Sequence, residues 1–534
     1  MKDRKTRIVV TLGLLPESTK KKENFIHDLI NAGADVFRLN MSHIKIGEED
    51  ELLQLVDIIR KTSTKLSKPV AIMTDLQGPK IRLCEVPEHL TTVNRGDRLK
   101  IGDASNSDIQ VRNCSGFTEA IGKAIEDRKS VTINIGDGSL VLRAVNTVGS
   151  SILFKAENDG KIRTGQGVTV RGVRLPAGSY KISNYPHDMW SAKVMAEYSD
   201  LIALSFVNSN KDIENLQHFI SDEVMKPDVI AERYGGVREY PIVAKIETDE
   251  GVLNIENIVD RAFGIMVARG DMGVQLGLEY VPLAQKEIIR KCNIWGKPVI
   301  VATQMLASMV NSAEPTRAEV SDVANAIIDG ADALMLSDET AIGKYPIESV
   351  KTIDTICKTV EKKTYYKINK PDFERGTHNT VDNLYKDFEH AIEEKKKTAS
   401  KKTILSIDET AHFVSYTSVQ ATYLLDCDAI LAISKSGATA RRLARFKPKV
   451  PVIVGTYTDR VRNLCSLSPG ITPLLLTQRR DIADRIRCLE EEFPELEREA
   501  YKKKILKKGM RVVRIAGLGG EKFGETNLLH IVEI

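Results

Sequence analysis

Eight short apolar runs, most of them followed by an amphipathic helical stretch, constrain the fold of this chain more than any other feature. They are IVVTLG (8–13), VFRLNMS (36–42), AIMTDL (71–76), LIALSFV (201–207), PIVAKIE (241–247), GIMVARG (264–270), VIVATQM (299–305) and ALMLSDE (333–339). A strand that is apolar on both faces must be covered on both, as happens in parallel sheets flanked by helices. Eight such units predict a closed (β/α)8 TIM barrel of the α/β class.

The runs share an ending in polar or charged residues: Arg38, Asn40, Asp75, Lys245, Glu247, Asp271, Thr303 and Glu339. Barrel active sites are built where strands end. One charged strand end is a solubility device; a rim carrying both acids and bases is a site. Between the third and fourth runs, GDRLKIGD, SVTINIGDGSLVLRAV and GVTVRGVRLPAG alternate apolar and polar residues between glycine-rich turns. This predicts a small β-barrel domain of antiparallel strands, with little helix, inserted at 83–180 and hinged over the rim as a lid. The catalytic barrel then spans 1–82 and 181–350. A charged, mostly helical connection follows at 351–402, its lysine run a solvated face, and a smaller α/β domain at 403–534.

Charge and cysteine usage exclude several classes. A net charge of +4 over 534 residues suggests no nucleic-acid or acidic-membrane partner. Seven scattered cysteines without a C-x-x-C pair argue against a disulfide framework and against structural zinc. No apolar run approaches the roughly 18 residues that cross a bilayer, and the basic start lacks an apolar signal core, so the expected compartment is the cytoplasm.

In KIETDEG, Lys245 and Glu247 are two apart on an extended segment and share a face. MVARGDMG brings Asp271 to a glycine-flanked turn whose backbone N–H groups could hold an anion. Two carboxylates with few competing ligands suit Mg²⁺. Arg38 adds a guanidinium suited to phosphate, and Thr303 a hydroxyl. These are the parts of phosphoryl transfer, or more broadly of a Mg²⁺-dependent enzyme acting on a phosphorylated or carboxylated small molecule.

RKTRIVVTLG, AGADVFRLNMSH, DLQGPKIR, IVAKIE, GIMVARGDMGV, ATQMLASM, EPTRAEVSDVANAIIDGADALMLSDETAIGKYP and AISKSGATA occur in the order found in pyruvate kinases, and the chain resembles that family. The resemblance implies transfer of the phosphoryl group of phosphoenolpyruvate to ADP. It implies that Glu247 and Asp271 hold Mg²⁺ (or Mn²⁺), that Lys245 and Arg38 neutralise and grip the phosphoryl group, and that the backbone of Gly270 and Asp271 binds the carboxylate. Thr303 would lie near the carbon to be protonated, and Asn40, His43 and Arg82 would meet the nucleotide. Potassium-dependent relatives carry glutamate where this chain has Lys80; Leu76, Gln77, Lys80 and Leu83 match the lysine-bearing, potassium-independent group. The expectation is an ammonium replacing K⁺ beside Asp75, Asn40 and Ser42.

The turn SKSGATA resembles the effector loop of regulated relatives, with Ser434, Lys435, Ser436 and Thr439 as candidate phosphate contacts for a sugar-phosphate or nucleotide effector; relatives are typically homotetramers. The chain departs from the family pattern at TLGLLPES, Ile44, Asn208–Ser209 and Asp338, mostly on the nucleotide side. A lyase or aldolase on a related barrel, and a non-catalytic phosphoenolpyruvate sensor, are the rival readings.

Overall fold

The structure is a computed structural model that describes residues 4–104, 107–112, 116–136, 140–173, 180–368, 380–398, 409–477, 488–517 and 526–534. The eight apolar runs form eight strands: β1 (Arg7–Leu12), β2 (Val36–Asn40), β3 (Ala71–Asp75), β4 (Leu201–Leu204), β5 (Ile242–Ile246), β6 (Gly264–Ala268), β7 (Val299–Ala302) and β8 (Ala333–Leu336). All pair in parallel, and β8 closes onto β1 to complete the barrel. Every strand residue is buried except Arg38 and Asn40 on β2, which reach the rim half-buried. That double-sided burial is why Val, Ile, Leu and Ala fill these runs without polar alternation.

The insertion between β3 and β4 is a mixed sheet. Its outermost strand Arg82–Leu83 bridges to Gly167, beside the other outermost strand Val168–Arg171, and Leu83 N–H donates to Gln166 O at 2.9 Å, so the sheet closes on itself. Its strands pair antiparallel apart from Arg98–Gly102 with Ile109–Arg112. The near-absence of helix expected there is corrected: Phe117–Glu126 is an α-helix burying Phe117, Ile121 and Ala124. Phe117, Ala120, Ile121, Ala124 and Ile125 follow helical spacing, a signal the reading of the segment as alternating strands passed over. The RLPAGS stretch of the lid, 174–179, lies outside the described residues.

The C-terminal sheet runs Ile471–Leu475, Val452–Thr456, Ala429–Ile433, Arg511–Ala516, Leu528–Glu533, the first four parallel and the last antiparallel. This domain docks on the barrel base, where strands begin. Asp200, just before β4, pairs with Arg460 at 3.2 Å; Asp332, just before β8, pairs with Lys447. Arg7 at the start of β1 donates to Ser468 O at 2.7 Å. Buried charges persist only when paired, so these contacts fix where the domain sits.

The helix Thr380–Thr398 is more than a solvated connection. Phe388 and Ile392 pack against Ile294 and Trp295, and Lys395 lies 4.2 Å from the Trp295 ring centre while bonding Asp260 at 2.8 Å. Residues 369–379 and 399–402 of the charged stretch lie outside the described residues. Five described cysteines are free thiols. Among the described residues no helix is long and apolar enough to cross a membrane.

Candidate active site

Asp75 ends β3 at the centre of the rim. Its Oδ2 accepts from Arg38 Nε at 2.6 Å and its Oδ1 from Lys245 Nζ at 3.1 Å. Arg38 also donates to Thr11 Oγ1 at 3.0 Å, and Lys245 to Ser205 Oγ at 2.6 Å. Burial alone would raise the Asp75 carboxyl; Lys245 and Arg38 outweigh it and hold it below the usual carboxylate range. Burial likewise works against the Lys245 ammonium, but Asp75 and Glu247 more than compensate and raise it. Lys245 therefore keeps its charge despite its burial.

Glu247 follows β5 with Oε1 3.4 Å from Lys245 Nζ, so the two do share the inward face. Its Oε2 accepts from Phe206 N–H at 2.7 Å. Burial drives the Glu247 carboxyl up to about 7; Lys245 pulls the other way, while Asp271 and Asp75 add to the rise. The acid group is thus short of positive charge, which a divalent cation shared by Glu247 and Asp271 would supply. Among the described residues no cluster of three or more His, Cys, Asp or Glu forms a metal cage. Two carboxylates completed by substrate oxygens and water fit Mg²⁺.

The turn expected to receive an anion is the start of the helix Arg269–Leu276, which follows β6 directly. Arg269 pins it to the β7 end, donating to Ala302 O at 3.3 Å, Thr303 O at 2.7 Å and Asp322 at 2.8 Å. Asp322 is placed by the helix Arg317–Asp329. That helix starts on a Thr316–Glu319 capping box and stops at Gly330, whose φ of +104° only glycine adopts readily. Thr303 and Gln304 take φ of +70° and +55°, uncommon for residues with a Cβ. The Gly270 N–H expected for the substrate carboxylate here donates to Thr303 Oγ1 at 2.9 Å, so hydroxyl and carboxylate would share that donor.

Lys80 follows a turn at Gly78 (φ +70°), where a Cβ would fall 2.6 Å from that of Ser205. Lys80, expected beside Asp75, Asn40 and Ser42, pairs through Nζ with Asp271 at 2.6 Å, while Asp75 is paired with Lys245 and Arg38. Asn40 Oδ1 instead accepts from Ser42 N–H at 3.3 Å. His43 is exposed on the short turn after β2, and Arg82 donates to Gly165 O at 2.9 Å within the lid. Arg171, also of the inserted sheet, donates to Gly273 O at 3.0 Å and to Val274 O, joining that sheet to the helix that carries Asp271.

Asn208 and Ser209, which depart from the family pattern, have structural duties. Ser209 and Asp212 form the capping box of the helix Asn210–Glu223, and Asn208 O accepts from Asn254 at 2.8 Å. Glu339 is no rim charge but a buried brace, accepting from Leu306 N–H at 2.9 Å and Ser337 N–H at 2.7 Å. In the SKSG turn, Ser434 and Thr439 are buried and Thr439 Oγ1 lies 2.8 Å from Thr526 Oγ1; Lys435 is exposed and Ser436 half-buried.

Sequence reasoning missed Ser205, Thr11, Arg269 and Arg171 as contacts of the site. Arg269 sits inside the quoted MVARGD and was legible as a charge at a strand end; the others are short hydroxyls or a lid residue distant in sequence.

Comparisons with known proteins agree with this geometry. A family profile described as "Pyruvate kinase, barrel domain" matches residues 3–350, and one described as "Pyruvate kinase, alpha/beta domain" matches 412–532. The chain is 34% identical to a pyruvate kinase of Borreliella burgdorferi over 87% of this chain and 85% of that one. It is 31% identical to a pyruvate kinase of Clostridium acetobutylicum over 99% of both. The crystal structure of a pyruvate kinase from Cryptosporidium parvum superposes with a TM-score of 0.80 at 28% identity, covering 99% of this chain and 96% of that one.

Proposed function

The chain belongs to the pyruvate kinase family, and we propose how its own residues carry the phosphoryl group of phosphoenolpyruvate to ADP, giving pyruvate and ATP. The carrying observation is the convergence of Lys245, Arg38 and Glu247 around buried Asp75 at one rim.

Arg38 and Lys245 face the phosphoryl group with fixed positive charge. As the P–O bond to the enol oxygen breaks and an oxygen of the ADP terminal phosphate attacks, Lys245 stabilises the charge on the transferring oxygens. The departing enolate then takes a proton at its terminal carbon; Thr303, held by Gly270 N–H, orients that proton source. Mg²⁺ (or Mn²⁺), held by Glu247 and Asp271, would supply charge neutralisation to the substrate carboxylate and phosphate. Gly270 and Asp271 backbone groups receive the carboxylate, and Asn40, His43 and Arg82 the nucleotide.

Lys80, beside Asp271, carries the positive charge that K⁺ would otherwise bring, so turnover is potassium-independent. The Ser434–Thr439 turn takes an effector phosphate, and the assembly is a cytoplasmic homotetramer by family likeness. The deciding experiment is a coupled assay: pyruvate release that requires ADP supports the reading, whereas ADP-independent cleavage or binding without turnover refutes it.

A further inference from the structure

Asp188, in the first turn of the helix Pro186–Met195, is buried, and one of its oxygens joins two distant places in the chain. Its Oδ2 accepts from Gly78 N–H at 3.0 Å and from the Tyr180 hydroxyl at 2.8 Å. Gly78 lies in the turn that leads to Lys80, before the inserted domain begins; Tyr180 lies where the chain returns from that domain. We infer that Asp188, held by Tyr180, is a positioning residue that sets the Gly78–Lys80 turn and so aims the Lys80 ammonium at Asp271. The inference rests on the role proposed above for Lys80 and adds the residues that place it.

The turn is stiff on either side of this bond. Leu76 N–H donates to Ala203 O at 2.9 Å and Leu76 O accepts from Ser205 Oγ at 2.7 Å, which fixes its start against the end of β4. Pro79 has a fixed φ and no N–H of its own. Only this one rigid residue separates Gly78 from Lys80, so a shift of the Gly78 peptide is carried to Lys80 rather than absorbed. Lys80 Nζ then lies 2.6 Å from Asp271 and 5.7 Å from the Phe206 ring centre.

The anchor is equally fixed. Tyr180 N–H donates to Asp212 Oδ1 at 2.8 Å, its carbonyl accepts from Asn215 Nδ2 at 2.8 Å, and its ring stacks on Tyr185 at 5.1 Å. With backbone and ring both held, the hydroxyl fixes the Asp188 carboxylate in turn. The neighbouring His187 has Nε2 2.8 Å from Ile44 O, so adjacent residues of one helix hold the turns after β2 and β3.

A carboxylate is a costly group in such a place. Burial pushes the Asp188 carboxyl up, and the Tyr180 hydroxyl and Gly78 N–H offset that only in part. An apolar side chain of similar size would fill the space without that cost, but would leave the Gly78 N–H without its acceptor and the turn free to move.

A double-mutant cycle on kcat, joined to crystal structures of the variants, tests the inference. Asp188→Ala and Lys80→Met should each lower kcat by roughly 10- to 100-fold, the scale of a misplaced group at a reacting centre. The double variant should stay within about threefold of Lys80→Met alone, because no ammonium is left to place; a purely structural Asp188 would make the two losses multiply. In crystals of Asp188→Ala, Lys80 Nζ should lie beyond hydrogen-bonding reach of Asp271. If Asp188→Ala does not fold, Tyr180→Phe, which removes one oxygen atom, takes its place with the same expectations at roughly three- to tenfold. The inference is overturned if the losses multiply, or if Lys80 keeps its contact with Asp271 in the variant. A native chain that releases no pyruvate with ADP, or a Lys80→Met variant of normal kcat, refutes the proposed reaction or the role of Lys80 instead, and the crystal structures then decide alone whether Asp188 aims Lys80.

Discussion

Lys245 Nζ and Arg38 Nε hold opposite oxygens of a single carboxylate, Asp75, at 3.1 and 2.6 Å. One buried anion thereby fixes two cations from different strands, and neither can swing toward solvent without leaving that anion uncompensated. The pair is positioned before any substrate arrives, which is the condition for electrostatic stabilisation without reorganisation.

Replacing Lys245 by Met removes the charge facing the transferring oxygens. Steady-state assays should show kcat lower by roughly 10²- to 10³-fold. Mg²⁺ binding, measured by titration, should persist because Glu247 and Asp271 are retained.

Asp75→Asn separates the two cations from their common anion. Breaking a buried pair on one side typically costs about 3–5 kcal/mol, read as a lower unfolding midpoint in denaturant. The native Asp75 carboxyl lies below its unfolded value, so its contribution is complete above about pH 4 and disappears as pH falls through the native pKa. The variant should lose that part of the acid dependence.

Glu247 has the opposite sign. Its native pKa, about 7, stands above the unfolded carboxyl, so without divalent cation stability falls as pH rises from about 4 toward 7. Thermal unfolding with and without MgCl₂ should therefore show a stabilisation by Mg²⁺ that grows from pH 5 to pH 8. Glu247→Gln should remove most of that pH dependence.

Lys80 tests the cation replacement directly. Exchanging tetramethylammonium chloride for KCl at equal ionic strength should leave turnover within about twofold, less than the effect of losing a bound charge at such a site. A many-fold rise with KCl refutes the assignment. Lys80→Glu should introduce a potassium requirement.

Arg171 links the inserted domain, proposed as a lid, to the helix carrying Gly270 and Asp271. Arg171→Ala should raise the KM for phosphoenolpyruvate and lower kcat together, as lid variants do. Arg171→Lys, which keeps one donor, should recover part of the KM.

The barrel was legible because eight doubly covered strands leave continuous apolar runs, and the Lys245–Glu247 pair because strand geometry puts alternate residues on one face. Asp75 was readable as a strand end but not as the hub, since two cations selecting one carboxylate is a matter of distance across strands. The pairing of Lys80 with Asp271 was unreadable for the same reason: sequence shows which charges reach the rim, not which are already matched. The use of Gly270 N–H by Thr303 was hidden in a backbone turn that no residue type announces. The helix Phe117–Glu126 did leave helically spaced apolar residues, Phe117, Ala120, Ile121, Ala124 and Ile125, but they sit among strands whose alternation dominates the segment.

Thr303 and Gln304 sit back to back in the left-handed region, held there by the grip of Arg269 on the neighbouring carbonyls. Such residues cost of order 1–3 kcal/mol each and persist only where their surroundings over-determine them. Selection for heat resistance alone would favour glycine at these two positions, and would thereby remove the hydroxyl proposed to orient the proton source. Robustness and speed are traded against each other within this one dipeptide.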